Sequence, residues 1–332
     1  MLETLTNPPE DVVTNVTFAE KSNLLAVSSW DKTLRLYNVD SSENGKLVHK
    51  CEWSAPVMDC IFLEDDKKVA FGDLNKNLNL LDIETGAVVT VGRHNAPVRT
   101  VRFNSQLKSL VSGGWDKRIK VFDLRSTNLK PTADVEIYGK AYCMDMINNT
   151  LVVGDSMKRV YIYDLSRGLS GFSTPDTKDG ILKFQYRYLR CFPDEKGFAL
   201  SSIEGRVAWE YFSKDPEVVS QQYAFKCHRN KTSSENDVAY AVNTIDFHPQ
   251  YGTFVTGGAD GLVCAWDGFS RKRLWKSVTF DTSVASVSFN STGDKLAIAV
   301  SDVFQLNPSQ SATTNICIRE IKPDECKPRK FK

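Results

Sequence analysis

The sequence repeats one short pattern along most of its 332 residues. In each copy a run of small and apolar residues ends in Ser or Gly, a turn containing Asp or Gly follows, and a second run ends near an aromatic or aliphatic residue. Six clear copies lie at residues 26–38, 70–82, 111–123, 153–164, 200–211 and 255–267. Short β-forming runs separated by turn residues predict strands, so the chain is expected to consist of repeated strand pairs.

The copies recur about every 40 to 45 residues, which is the length of one four-stranded propeller blade. A seventh copy begins at residues 295–300 and resumes at 315–320, but it lacks a last strand of its own. Residues 2–6 could supply that strand, closing the ring and removing the exposed edge of an open sheet. The sequence therefore predicts an all-β, seven-bladed propeller that forms a single domain over residues 1–322. The basic tail, residues 323–332, is predicted to be disordered.

Charge and cysteine spacing narrow the possible functions. The formal net charge of +1 gives no overall attraction to nucleic acid or membranes, and no apolar run is long enough to span a bilayer. The N-terminus lacks the pattern of a secretory signal, so we expect a protein of the cytosol or nucleus. None of the eight cysteines forms a C-x-x-C pair, so we expect no zinc site and no cofactor. The cysteines are expected to be buried, except for Cys326 in the tail.

Two cations are predicted to face each other in one hairpin. The β-propensity of residues 207–212 predicts a strand, and the Asp-Pro pair at 215–216 breaks it before a second strand returns. If the chain reverses there, Arg206 lies roughly opposite Lys226. Like charges in such positions repel, so an anion such as phosphate between them would explain the arrangement. The alternative is that both are solvated surface cations, one of them paired with Glu204.

The whole chain resembles the WD-repeat β-propellers. The resemblance rests on His94 in Gly-Arg-His-Asn-Ala-Pro-Val, on Asp116, and on the Trp266-Asp267 dipeptide. In such blades a loop His and a turn Asp are often joined by hydrogen bonds through a Ser or Thr and the Trp of the blade. We therefore interpret His94 and Asp116 as a structural pair and not as a catalytic one. A propeller fold does not by itself fix a function.

More specifically, the chain resembles the checkpoint WD-repeat proteins of the Bub family. The residues that carry this resemblance are Ser-Ile-Glu-Gly-Arg at 202–206, Tyr-Ala-Phe-Lys-Cys-His-Arg at 223–229, Leu-Lys-Phe-Gln-Tyr-Arg at 182–187 and Gly-Gly-Ala-Asp-Gly at 257–261. The related messenger-RNA export factors of the nuclear pore share two of these runs. The lead-in at residues 223–225 and the short N-terminus are more similar to the checkpoint family.

The resemblance implies a non-enzymatic adaptor of the spindle assembly checkpoint, located in the nucleus and at the kinetochore in mitosis. Its expected partners are a checkpoint kinase or kinase paralogue, bound through a GLEBS motif, and phosphorylated Met-Glu-Leu-Thr repeats of the kinetochore scaffold. The GLEBS motif is an extended, acidic-containing peptide, and Trp30, Trp115 and Arg187 are the residues expected to bind it. The positions matching Arg206 and Lys226 are expected to hold the phosphothreonine, since Arg offers a bidentate fork and Lys a point charge.

Other functions remain as alternatives. One is an export factor that binds a nucleoporin GLEBS motif, although direct RNA binding would predict a basic stripe that the near-neutral charge does not support. Another is a ubiquitin-ligase substrate adaptor, suggested by Phe-Asp-Leu-Arg at 122–125. An enzyme is not expected, because Cys227 and His228 are adjacent and would point to opposite faces of a strand. Trp209 stands where the Bub family usually has a small β-branched residue, so different packing beside Arg206 is expected.

Overall fold

The computed structural model describes residues 2–40, 45–126, 130–166, 168–231, 237–304 and 314–328. These residues form seven four-stranded antiparallel sheets, which confirms the predicted seven-bladed propeller. The strands of blades 1 to 3, from the channel outward, are Val13–Phe18, Leu24–Ser29, Thr33–Asn38 and Lys46–Glu52; Val57–Phe62, Lys68–Asp73, Asn77–Asp82 and Val88–Arg93; and Val98–Asn104, Ser109–Gly114, Arg118–Asp123 and Ala133–Glu136.

Blades 4 to 7 continue in the same order around the ring. Their strands are Ala141–Ile147, Thr150–Asp155, Arg159–Asp164 and Asp176–Asp179; Tyr186–Cys191, Gly197–Ser202, Arg206–Tyr211 and Tyr223–Lys226; Val242–Phe247, Phe254–Gly258, Val263–Asp267 and Lys272–Lys276; and Val284–Phe289, Lys295–Val300, Asn315–Glu320 and Leu2–Thr4. The remaining elements are a small hairpin, Arg229–Lys231 and Asp237–Ala239, a 3-10 helix, Gly168–Ser173, and two short α-helices, Pro216–Val219 and Pro323–Cys326.

The N-terminal strand closes the ring, as the sequence predicts. Leu2–Thr4 pairs antiparallel with Asn315–Glu320, and Glu3 lies opposite Ile318. The amide of Leu5 then donates a 2.8 Å hydrogen bond to the carbonyl of Ile316, and the buried Leu5 side chain packs between blades 7 and 1. The last blade is thereby completed by the start of the chain, which ties the two ends of the domain together.

The C-terminal segment departs from its prediction. Pro323–Cys326 forms a helix, and Cys326 is only 1 % exposed, packed with Ile321 and Leu296 of the blade 7 core. The hydroxyl of Thr253 also donates a 2.7 Å hydrogen bond to the Cys326 carbonyl. The predicted exposure of Cys326 is therefore wrong, and ordered structure extends beyond residue 322. Residues 329–332 lie outside the described residues.

Trp209 packs between blades 5 and 6 and not beside Arg206. Its ring stacks on Phe192 with centroids 3.9 Å apart, and its side chain is fully buried. A Cβ atom on Gly268 would lie 2.3 Å from the indole, so a glycine makes room for it. Residues 206 and 209 are three positions apart on one strand, so their side chains occupy opposite faces. The expectation of altered packing beside Arg206 is therefore wrong.

No helix in the described part of the chain is long and apolar enough to cross a membrane.

Candidate functional site

Three of the residues predicted to bind a peptide meet in one cavity. Trp30 lies in the turn after Leu24–Ser29, and Trp115 lies in the turn after Ser109–Gly114. Together with Arg187 of blade 5 they line a cavity of about 440 Å³ at one mouth of the central channel. The closed ring thus brings together residues that are far apart in sequence.

Arg187 is a half-buried cation in this cavity. Its Nη2 atom donates a 3.0 Å hydrogen bond to Oδ1 of Asn243, and its Nε atom has no hydrogen-bond partner among the described residues. Burial, assisted by the nearby charge of Arg99, lowers the pKa of Arg187 to about 10, so the guanidinium remains charged at neutral pH. An arginine in this environment is suited to an incoming carboxylate.

The two tryptophans offer apolar surface to the same cavity. Trp30 is 37 % exposed and lines the cavity. The Trp115 indole Nε1 is buried without a hydrogen-bond partner among the residues that the structure describes, and the Lys140 ammonium lies 5.7 Å from its ring centroid. Such a ring can bury apolar groups of a peptide while its N–H donates to a peptide carbonyl.

Sequence reasoning missed other residues of the cavity. Arg99, Met58 and Asn243 also line it, and each is the second residue of the first strand of its blade, as Arg187 is. A register shift follows the first residue of each of these strands. The signal was therefore present in the repeat: the residue at this position faces the channel in successive blades.

The predicted cation pair is present in blade 5. Arg206 lies directly opposite Lys226 in the antiparallel register, which confirms the predicted pairing. Gly205 precedes Arg206 with a φ of +66°, and a Cβ there would lie 2.7 Å from the carbonyl oxygen of Cys227. Only glycine fits this turn without strain, so the turn fixes where the strand and Arg206 begin.

The surroundings of the pair are mainly cationic. The Arg206 side chain is 32 % exposed, and its Nε lies 3.4 Å from a carboxylate oxygen of Glu204. Arg229 donates a 2.8 Å hydrogen bond to the Glu204 carbonyl, and Lys226 is exposed. Arg206, Lys226 and Arg229 thus lie at one end of the hairpin, with the Glu204 carboxylate beside Arg206. Neither Arg206 nor Lys226 lines the central cavity, so the structure gives two separate sites.

Both sites lie on the same face of the ring. Arg206 follows the turn between the second and third strands of blade 5, and the corresponding turns of blades 1 and 3 carry Trp30 and Trp115. Because all blades have the same strand order, these turns project from one face, which we call the upper face.

Comparisons with known proteins agree with this architecture. The family model described as "WD domain, G-beta repeat" matches residues 1–38, 87–123 and 222–267. The chain is 40% identical to the mitotic checkpoint protein bub-3 of Caenorhabditis elegans, over 97% of this chain and 94% of that protein. It is also 40% identical to the mitotic checkpoint protein bub3 of Dictyostelium discoideum, over 95% and 93% of the two chains. The chain belongs to the bub3 family of mitotic checkpoint proteins.

The bub3 family has export proteins among its relatives. The chain is 36% identical to the poly(A)+ RNA export protein of Schizosaccharomyces pombe, over 97% of this chain and 91% of that protein.

Histidine relays stabilise two blade junctions of this bub3 family member. His94 Nδ1 hydrogen-bonds with Asp116 at 2.9 Å, and Nε2 hydrogen-bonds with the Ser112 hydroxyl at 2.8 Å, as the structural interpretation predicts. Burial tends to raise the pKa of Asp116, but the hydrogen bonds from His94 and the Asn95 amide outweigh it and lower the pKa below its ordinary value. Both side chains of the pair are thus hydrogen-bonded within the fold.

A second relay was not recognised from sequence. His228 Nδ1 hydrogen-bonds with Asp260 at 2.8 Å, Nε2 hydrogen-bonds with Thr256 at 2.7 Å, and the Trp266 indole N–H donates to the same hydroxyl at 2.9 Å. The available signal was a hydroxyl residue four positions before an Asp, Thr256 and Asp260, as in Ser112 and Asp116, with a His upstream of both.

We expect His228→Ala to lower the free energy of unfolding by about 1–3 kcal/mol, because buried Asp260 and Thr256 would lose their partner. Urea denaturation measures the change. His49→Ala, on the half-buried outer strand of blade 1, is the control. An equal, small effect of both substitutions would show that the relay does not stabilise the blade.

A belt of buried and half-buried charges around the channel was also missed. Arg102 donates to Asp59 at 3.0 Å and to Asp145 at 3.1 Å. Arg190 donates to the same Asp145 oxygen at 3.3 Å and to Asp246 at 2.5 Å. Burial lowers the pKa of Arg102, but the charges of Asp59 and Asp145 outweigh it and raise the pKa. The members lie about one repeat apart in the inner strands, and this recurrence was the available signal.

Among the residues described, no group of three or more His, Cys, Asp or Glu side chains is arranged to hold a metal ion. Burial raises the pKa of Cys143 to about 12, so this thiol is protonated at neutral pH and is a poor nucleophile.

Proposed function

We propose that this bub3-family propeller is a non-enzymatic adaptor of the spindle assembly checkpoint, acting in the nucleus and at the kinetochore in mitosis. It holds a checkpoint kinase or kinase paralogue through its GLEBS motif and docks it on phosphorylated Met-Glu-Leu-Thr repeats of the kinetochore scaffold. The observation that carries the proposal is the register that sets Arg206 directly opposite Lys226 on the upper face.

The central cavity supports the proposed binding of a GLEBS peptide. Trp30 and Trp115 supply apolar faces, and Arg187 supplies a half-buried positive charge. An extended peptide with acidic residues has both kinds of complementary group. The volume of about 440 Å³ accommodates a few side chains, so the rest of such a peptide would run over the surrounding turns.

The cation pair supports the proposed binding of phosphothreonine. A phosphate carries close to two negative charges at neutral pH and three acceptor oxygens. The Arg206 guanidinium can donate two parallel hydrogen bonds, and the exposed Lys226 ammonium can donate from across the ladder. A phosphate between them would also relieve the repulsion of like charges that face each other.

Calorimetric titration of the full chain, with a GLEBS peptide present, tests the proposal. The titrants are a Met-Glu-Leu-Thr peptide with phosphate on the threonine and the same peptide without it. We expect the phosphorylated peptide to bind and the unphosphorylated peptide not to bind. Added salt should weaken this binding, because it depends on exposed charges. Equal affinity for both peptides would contradict phosphate-controlled docking.

A second prediction concerns the GLEBS peptide. Trp115→Ala should weaken its binding by about 2 kcal/mol or more, roughly 30-fold, because a large aromatic at the centre of an interface contributes most of its energy. The measurement is calorimetric titration with the GLEBS peptide alone. Val278→Ala, an exposed apolar residue outside the cavity, is the control. Unchanged affinity of Trp115→Ala for the GLEBS peptide would mean that the peptide does not bind in this cavity.

The export relatives supply an alternative function. The similarity to the poly(A)+ RNA export protein of Schizosaccharomyces pombe favours an export factor that binds a nucleoporin GLEBS motif. The two functions differ in the calorimetric experiment: retained GLEBS binding combined with indifference to phosphate would favour export. The ubiquitin-ligase alternative was suggested by the motif Phe-Asp-Leu-Arg at 122–125. Within this motif the Arg125 guanidinium pairs with the Asp123 carboxylate at 2.7 Å.

A further inference from the structure

An apolar groove lies on the outer rim between blades 5 and 6. Tyr211, Phe212, Val218 and Phe269 line it, and its volume is about 460 Å³. Val218 belongs to the short helix Pro216–Val219, and Phe269 lies in the turn after Val263–Asp267. We call this feature the rim groove. None of its residues takes part in the two sites proposed above.

The rim groove is on the face opposite to those sites. The third strand of blade 5 begins at Arg206 beside the cation pair and ends at Tyr211 in the rim groove. With a rise of about 3.3 Å per residue, these ends are roughly 17 Å apart. A molecule in the rim groove would therefore leave the upper face free.

Apolar side chains in and beside the groove remain partly exposed to solvent. Phe269 is 55 % exposed and Val219 is 42 % exposed. The helix Pro216–Val219 buries none of its four residues, so it adds little to the core of the blade. Apolar side chains exposed together beside a concave surface are typical of a binding site for another protein.

The charges at one end of the groove indicate the chemistry of the partner. Arg271, Lys272 and Arg273 follow Phe269 in sequence, and all three are exposed. Lys272 lies opposite Asp267 in the blade 6 ladder, so Arg271 is the cation most directly placed at the groove. Arg271 is held at the groove: its guanidinium stacks 4.3 Å from the Tyr223 ring centroid and donates to the Gln221 carbonyl at 3.4 Å.

The other cations near the groove are paired, and the remaining carboxylates there are those of Glu195, Asp215 and Glu217. Lys214 lies 3.1 Å from Asp176, and Lys196 lies 3.7 Å from Asp194. The carboxylate of Glu195 lines the groove on that side. The excess positive charge is therefore at the Arg271 end only, and a ligand that complements it must carry acidic residues there.

We propose that the rim groove is a second docking site, which binds a short segment of a partner protein with one bulky apolar anchor next to acidic residues. The anchor lies against Phe269 and Val218, and the acidic residues face Arg271 and Lys272. Since this site and the upper face do not overlap, the protein holds such a partner together with its upper-face ligands.

A random twelve-residue phage-display peptide library, selected on the full chain and depleted on Phe269→Ser, tests this proposal. Phe269 is largely exposed, so its replacement should leave the fold intact, and Val219→Ser provides a second variant. We expect enriched peptides that combine a bulky apolar residue with neighbouring acidic residues. Calorimetry with the dominant peptide should show at least a roughly tenfold loss in Phe269→Ser and in the double variant Arg271→Glu, Lys272→Glu.

Two further measurements separate the outcomes. The control variant Val89→Ser changes an exposed apolar residue on blade 2 and should bind the selected peptide normally. A saturating GLEBS peptide should not compete with the selected peptide. The proposal is overturned if no peptide survives depletion, if the survivors are basic or uncharged, or if they bind Phe269→Ser as tightly as the unchanged chain. None of these results bears on the upper-face sites.

Discussion

Replacing both Arg206 and Lys226 by Ala is expected to abolish the preference for a phosphorylated Met-Glu-Leu-Thr peptide. Hydrogen bonds to charged groups contribute about 1.5–3 kcal/mol each, so each single substitution should weaken binding roughly 10- to 100-fold. The two cations face each other in the ladder and share the phosphate, so their effects are not expected to be additive. Calorimetric titration of both singles and the double variant gives the coupling.

The controls for this prediction use other charges. Arg125→Ala removes one exposed positive charge of blade 3 and should leave phosphopeptide binding unchanged. Glu204→Gln should strengthen binding a few-fold, since the Glu204 carboxylate lies 3.4 Å from Arg206 Nε and competes with the phosphate. Equal losses of phosphopeptide affinity in Arg206→Ala and Arg125→Ala would mean that binding depends on the net charge of the protein and not on this pair.

Asp145→Asn is expected to lower the free energy of unfolding by about 3 kcal/mol, the lower end of the range for breaking a buried ion pair, because the buried Arg102 and the half-buried Arg190 lose their shared charge but keep Asp59 and Asp246. One Asp145 oxygen accepts from both Arg102 and Arg190, and the other accepts from the Cys191 amide at 2.8 Å. Asn is similar in volume, so the loss reports charge and hydrogen bonding and not a cavity. The measurement is the shift of the urea midpoint together with the slope of the transition.

Glu84→Gln is the matched control for this second prediction. It also removes one carboxylate charge, but from an exposed position in the turn between two outer strands of blade 2. Its effect should stay within about 0.5 kcal/mol, as is usual for surface substitutions. A change below about 1 kcal/mol in Asp145→Asn would show that the belt contributes no more than an exposed ion pair does.

The propeller itself was predictable because it depends on local pattern. Six of the blades are made of four consecutive strands, and the seventh is completed by the N-terminal strand, so the repeat indicated both the number of blades and the strand order. The same reasoning placed Arg206 opposite Lys226, because an antiparallel ladder is counted from the point where the chain reverses. Turn position also placed Trp30 and Trp115 on one face.

Other features depend on contacts between distant parts of the chain. Cys326 looked exposed because it lies in a basic tail, but its side chain packs with the blade 7 core, and Thr253 of blade 6 donates a hydrogen bond to its backbone carbonyl. Trp209 looked out of place beside Arg206, yet its ring fills a space left by Gly268, which lies on the next blade. Neither partner is near in sequence, so neither contact has a local signal.

The sequence by itself determined the architecture of this bub3-family protein and the pairing within each blade, since both follow from turn spacing and from alternation along single strands. Only the tertiary structure decided which residues share a site. Closure of the ring brings the inner strands of separate blades around one channel, and this sets Arg187 beside Trp30 and Trp115 and joins Asp145 to two arginines. Such contacts depend on the geometry of the ring, because no stretch of sequence encodes the distance between side chains of different blades.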